Sequence, residues 1–168
     1  MIEELTEREH IVLSTGGGSV LDEKSRQYLR SRGYDAETVA DFKLGYAPHG
    51  DRWDHLVREL RARGIKDKVM IDAGLARKGQ RGGLYDLFRD RVMFPTFDLQ
   101  GSPIGFGGRV LGDGTPKYLN TPETPIYKKS ETMYGIDRAR RASTVGLLRP
   151  LSRAFSGAWR DFAAPCAS

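Results

Sequence analysis

The sequence predicts an α+β fold in which N-terminal helices are followed by an antiparallel β meander. Two observations carry this. Trp53, Leu56, Val57 and Leu60 fall at i, i+3, i+4 and i+7, one apolar stripe of a helix. From Val92 onward the pattern changes to β-rich runs divided by two turns, Asp98-Leu99-Gln100-Gly101 and Gly112-Asp113-Gly114. At 168 residues the chain is long enough for one ordinary domain with a real core. A mean hydropathy of −0.50, with no apolar run near the roughly 18 residues of a membrane helix, excludes a membrane-spanning class. The acidic N-terminus lacks the basic-then-apolar order of a signal peptide. Cys166 is the single cysteine, so no internal disulfide framework and no Cys-rich zinc site is expected. A reducing cytoplasm is the expected location.

The elements follow in order. Glu3 to Glu9 has helical propensity, Ile11-Val12-Leu13 reads as a short buried strand, and Thr15 to Ser19 is a glycine turn. Asp22 is placed to cap a helix running through Tyr28 and Leu29, and Gly33 to stop it. Asp35 caps the next helix, which turns Val39 and Phe42 inward and ends at Gly45-Tyr46-Ala47-Pro48. The striped helix comes next, with Trp53 at its head and expected in the core, base stacking being its alternative role. Arg58, Arg61 and Arg63 lie off the stripe, on a solvated face. Arg77 to Gly83 reads as a hairpin or loop. Strands are expected over 92–97 and 104–111, with a third over 117–119. Pro95 and Pro103 predict an edge or a bulge in the first two. Residues 142–168 have no clean period and read as a disordered tail.

Charge is unevenly spread over a net +5. Residues 1–25 carry six acids and two bases, whereas residues 26–141 carry 22 bases against 15 acids. The positive field therefore belongs to the middle of the chain, where it would attract a phosphate backbone. His10, His49 and His55 lack metal-ligand spacing.

The middle segment also holds motifs in a fixed order. They are Tyr-Leu-x-x-Arg-Gly (28–33), Phe-x-Leu-Gly-Tyr-Ala-Pro (42–48) and Ala-Gly-Leu (73–75). Tyr-Asp-Leu-Phe-Arg-Asp-Arg-Val-Met-Phe-Pro (85–95), Gly-Phe-Gly-Gly-Arg-Val-Leu (105–111) and Pro-Lys-Tyr-Leu-Asn (116–120) follow, and then Met-Tyr-Gly (133–135). Residues 26–141 thereby resemble the N-terminal half of the catalytic core of bacterial DnaG-type DNA primases. The resemblance implies a mixed α/β subdomain whose basic groove tracks single-stranded template DNA. Carried over by position, Arg32, Arg109 and Lys117 would be the template-contacting cations. Arg109 follows glycines whose amides are expected to lie open to a close phosphate. Tyr118 is suited to stacking on a base and Asn120 to hydrogen bonding a sugar or phosphate. Arg89 and Arg91 either line the groove or simply edge a strand.

Residues 1–33 resemble a segment of shikimate kinase, Ile-Val-Leu-Ser-Thr-Gly-Gly-Gly-Ser-Val-Leu followed by a polar helix. The expected organisation is a shikimate-kinase-like fragment over 1–25, a junction within 25–33, the primase-like subdomain over 26–141 and a divergent tail. Kinase activity is not expected, because the sequence contains no Gly-x-x-x-x-Gly-Lys-[Ser/Thr] phosphate loop.

In primases the Mg²⁺-binding carboxylates lie in a TOPRIM half that opens with Glu-Gly-Tyr-x-Asp after the position of Arg141. This chain diverges there, so no catalytic residue, metal ligand or cofactor is assigned to it. Gly146-Leu147-Leu148-Arg149-Pro150 can be encoded so that a one-nucleotide shift reads Gly-Tyr-Ser-Asp, which the gene sequence would decide. A complete primase is recruited by the replicative helicase through a C-terminal domain with no counterpart here. The expected function is a primase fragment that binds single-stranded DNA without synthesising primer alone. The alternatives are a shikimate-kinase-like small-molecule binder or a non-functional fusion product.

Overall fold

The computed structural model describes residues 23–50, 52–80 and 82–144. The elements expected upstream of Glu23, the cap at Asp22 and the tail beyond Thr144 lie outside the described residues. Helix α1 (Glu23–Ser31) buries Ser25 and Leu29 on one side. Gly33 stops it with φ +83°, a left-handed conformation that glycine adopts without strain. Asp35 then caps α2 (Ala36–Asp41), its carboxylate accepting the Thr38 N–H at 2.7 Å. Val39 and Phe42 turn inward as expected.

Gly45–Ala47, expected only to end this helix, forms strand β1. The striped helix is α3 (His55–Ala62), which buries Val57 and Leu60. It begins two residues after Trp53, which is 66% exposed and is therefore not part of the core. A further helix not foreseen from the sequence, α4 (Asp67–Asp72), packs Met70 against α3. The polar stretch after it is a true hairpin of β2 (Ala76–Lys78) and β3 (Leu84–Asp86). Strands β4 (Arg91–Phe97), β5 (Pro103–Val110) and β6 (Tyr118–Asn120) follow close to their expected bounds. Helix α5 (Ile136–Thr144) closes the described chain and runs across the tail boundary expected at residue 142.

Strands β1, β4, β5 and β6 make one antiparallel sheet in the order β1-β4-β5-β6. Pro95 sits on β4 beyond the end of the short β1, and the register shifts between Thr96 and Phe97, opposite Pro103. The prolines thus fall at an uncovered edge and at a bulge, where a missing N–H does least harm.

Alternation along β4 builds two apolar layers. Val92 and Phe94 face Leu29, Tyr34 and Leu44, and Tyr28, Val39, Phe42 and Tyr134 pack around them. Met93 points the other way, into Leu87, Phe88 and Phe106. A third cluster around Val57, Leu60, Met70 and Ala76 joins this second layer through Leu75. The sheet therefore lies between α1 and α2 on one face and the α3–α4–hairpin unit on the other.

Candidate nucleic-acid interface

Register brings one cation of the sheet to a row of aromatic groups. Tyr46 pairs with Val92, Val92 with Arg109, and Arg109 with Tyr118, so these four side chains share the α1 face. Helix α1 lays Tyr28 over this row. The Arg109 guanidinium carbon lies 4.5 Å from the Tyr28 ring centroid and 5.6 Å from that of Tyr118. Its Nε donates to the Tyr118 hydroxyl at 3.2 Å. Arg32, one helical turn beyond Tyr28, places its guanidinium carbon 5.6 Å from the same ring. Burial pushes the Tyr28 phenol above its ordinary pKa, while Arg109 and then Arg32 pull it back. Two guanidinium groups and two phenols thus interlock across the seam between α1 and the sheet.

The remaining expected groups differ in what they offer. Asn120 lies two residues from Tyr118 on the same strand and face, opposite Gly107, and is half-buried. Lys117 is exposed immediately before β6. Arg32 is exposed as well, whereas Arg109 is only 9% exposed and sits among its neighbours. The exposed charge of the cluster belongs to Arg32 and Lys117, and Arg109 organises the rings around it.

Arg91 stands on the opposite sheet face and is buried. Its Nη2 donates to the Pro116 carbonyl at 2.7 Å, and its Nη1 reaches the Gly108 and Lys117 carbonyls at 3.4 Å. Desolvation lowers its pKa, with the nearby positive charge of Arg89 adding to the effect. Its reach is inward, and it brackets the turn that presents Lys117.

Arg89 is held elsewhere, stacked 4.4 Å from the Trp53 ring centroid and 5.5 Å from that of Tyr85, and it donates to the Asp86 carbonyl.

The glycines before Arg109 do not lie open to a phosphate. Gly107 and Gly108 pair with β4 on one side and β6 on the other, and residues 105–110 are buried. A Cβ on Gly108 would lie 2.7 Å from Phe88 Cδ1, and one on Gly105 would lie 3.0 Å from the Tyr127 ring. These glycines admit aromatic rings to the sheet rather than phosphate oxygens.

Tyr28 is the member of this cluster that sequence reasoning did not single out. Its spacing of four from Arg32 on a helix was the available signal. Among the described residues, no three His, Cys, Asp or Glu side chains come together as a metal site, and no helix is long and apolar enough to cross a membrane.

Comparison with known proteins supplies the family. Residues 19–140 match the family described as DNA primase catalytic core, N-terminal domain. Residues 1–35 match shikimate kinase, and the two stretches overlap within α1 and its approaches. The DNA primase of Deinococcus radiodurans is 54% identical over 114 residues, which are 67% of this chain and 20% of that protein. The DNA primase of Escherichia coli strain K12 is 46% identical over 117 residues, 70% of this chain and 20% of that protein. The chain spans about a fifth of the length of the curated relatives it matches. A DNA primase domain from Pseudomonas aeruginosa superposes with a TM-score of 0.73 at 42% identity, covering 86% of this chain and 45% of that one. A DnaG primase catalytic domain bound to single-stranded DNA gives a TM-score of 0.71 at 38% identity, covering 85% and 44%. With seven motifs in order, the expected sheet and helices, and a family match over residues 19–140, this chain belongs to the DNA primase catalytic core, N-terminal domain family.

Proposed function

We propose that this domain holds single-stranded template DNA for a primase, along a basic groove formed by Arg32, Arg109, Lys117, Tyr118 and Asn120. The observation that carries this reading is the interlocked Arg32–Tyr28–Arg109–Tyr118 cluster beside the exposed Lys117. Fixed guanidinium groups attract phosphates, and an aromatic face held beside them accepts a base of any sequence. A structural neighbour is a DnaG catalytic domain bound to single-stranded DNA, which favours the same ligand here. Arg91 supports the groove from behind by fixing the Lys117 carbonyl.

Primer synthesis is proposed to need groups beyond the described residues. Phosphoryl transfer of this kind uses Mg²⁺ held by clustered carboxylates. Glu123 and Glu131, acids of the segment before the expected metal-binding half, do not fit that duty. Glu123 accepts the Lys129 N–H at 3.0 Å, and Glu131 lies 3.6 Å from Lys128 Nζ. A shikimate-kinase activity is not proposed, because residues 1–35, which match that family, contain no phosphate loop of the required pattern.

Fluorescence anisotropy with a labelled oligothymidylate across a salt series tests the proposal. Binding is expected to weaken with a constant slope of log K against log salt. Arg32→Ala combined with Lys117→Ala should make that slope shallower by about 1.4, from roughly 0.7 per phosphate contact on a single strand. No binding at low salt, or a slope unmoved by the double substitution, would overturn it.

A further inference from the structure

We propose that Arg77, on the outer face of the β2–β3 hairpin, is a further phosphate contact for the bound strand. The inference rests on the single-strand reading above and carries the strand beyond the groove named there.

Register decides which hairpin side chains can meet a ligand. Ala76 pairs with Asp86, and both are buried on the face turned to α3 and α4. Leu84, opposite Lys78, packs on the same side. Alternation along both strands therefore puts Lys78 on that inner face and Arg77, with its partner Tyr85, on the outer one.

The outer face is braced and already holds one guanidinium. Tyr85 meets the Trp53 ring edge-on, with centroids 6.2 Å apart. The Arg89 guanidinium carbon lies 5.5 Å from the Tyr85 centroid, and Arg89 donates to the Asp86 carbonyl. The Asp86 carboxylate pins the ribbon to α3, and the Gly79 N–H closes the tip on the Gly83 carbonyl at 2.7 Å. Arg89 is thus committed to rings and a carbonyl. Arg77 is exposed and, among the described residues, has no hydrogen bond, ion pair or ring contact. Its planar fork is left for an anion with two oxygens to offer, as a phosphodiester has.

Cations succeed one another from this face to the proposed groove. Arg89 lies close enough to Arg91 for its charge to help lower the Arg91 pKa, and Arg91 reaches the Lys117 carbonyl at 3.4 Å. A strand held at Lys117 and continuing past Arg89 meets Arg77 next.

Lys78 supplies the control, being an adjacent exposed cation on the other face of the same strand. In anisotropy titrations with a long oligothymidylate, Arg77→Ala should make the slope of log K against log salt shallower by about 0.7, the value for one contact on a single strand. At 0.1 M salt that is a loss of about fivefold, shrinking to nothing toward 1 M. Lys78→Ala removes the same charge and should leave the slope as it was, while Arg77→Lys should keep the contact. Circular dichroism checks folding, and Arg77→Gln, which keeps most of the stem, replaces Arg77→Ala should that variant misfold. If the parent binds with the expected slope and Arg77→Ala leaves it unmoved, or Lys78→Ala moves it as far, the hairpin contact is refuted and the groove stands. If no strand binds at low salt, both fall.

Discussion

Asp86, the last residue of β3, closes the first turn of a helix thirty residues earlier in the chain. Its two carboxylate oxygens accept the Leu56 N–H at 2.8 Å and the Val57 N–H at 3.0 Å. Asp54, at the sequence position of the cap, makes no such bond. Removing the carboxylate in Asp86→Ala leaves buried amides without acceptors and should lower stability by about 2 kcal/mol in urea unfolding. Burial outweighs the two amide bonds and pushes the Asp86 carboxyl above the ordinary carboxylate range. The folded pKa then exceeds the unfolded one, near about 3.9. Between the two values the folded state binds more proton. The contribution of this group to stability is therefore greatest below the unfolded pKa. It declines as pH rises through the folded pKa and is level above it. A carboxyl resonance for Asp86 that titrates at or below the ordinary value would contradict this.

At the scale of elements, glycine positions show which contacts hold the layers together. Gly108 lies on central strand β5, and a methyl group there meets Phe88 Cδ1 at 2.7 Å and Arg91 Cδ at 3.0 Å. Gly108→Ala should cost about 1–3 kcal/mol through overpacking, read as a lower urea midpoint with an unchanged denaturant slope. Gly74 plays a similar part between α4 and the segment after β6. Its φ is +67°, and a Cβ there would lie 2.7 Å from Thr121 Cγ2. Helices α1 to α3 and the meander were legible because amphipathic period and turn residues are local signals, whereas α4 and α5 were not expected. Strand β1 was not, because Gly-Tyr-Ala-Pro reads as a turn until β4 offers a partner. Trp53 was misplaced because the stripe gives a period but no starting point, and α3 starts at His55. The glycines of β5 look like a phosphate cradle in one dimension. Only the rings of Phe88 and Tyr127 reveal what they make room for. Arg91 and Arg109 are alike as letters. The alternation of strand faces sends one into a bracket of carbonyls and the other between two phenols.

The described residues form a sheet held between two unlike layers, and α5 ties the first of these to the β4–β5 turn. Arg138 pairs with Asp41 and lies 4.0 Å from the Phe42 ring centroid, while Arg140 donates to the Leu99 carbonyl at 3.2 Å. Tyr134, just before this helix, is partly buried in the same layer, and desolvation pushes its phenol well above its ordinary pKa. The proposed template groove falls at the seam between α1 and edge strand β6, where Arg32 belongs to the helical layer and Lys117 to the edge of the sheet. A strand lying there would act as a removable staple across two parts of the protein joined mainly by apolar packing. Saturating oligothymidylate at about a hundred times its Kd should raise unfolding free energy by about 2.7 kcal/mol. The melting temperature would then report template occupancy, and α1 would gain the most protection from amide exchange.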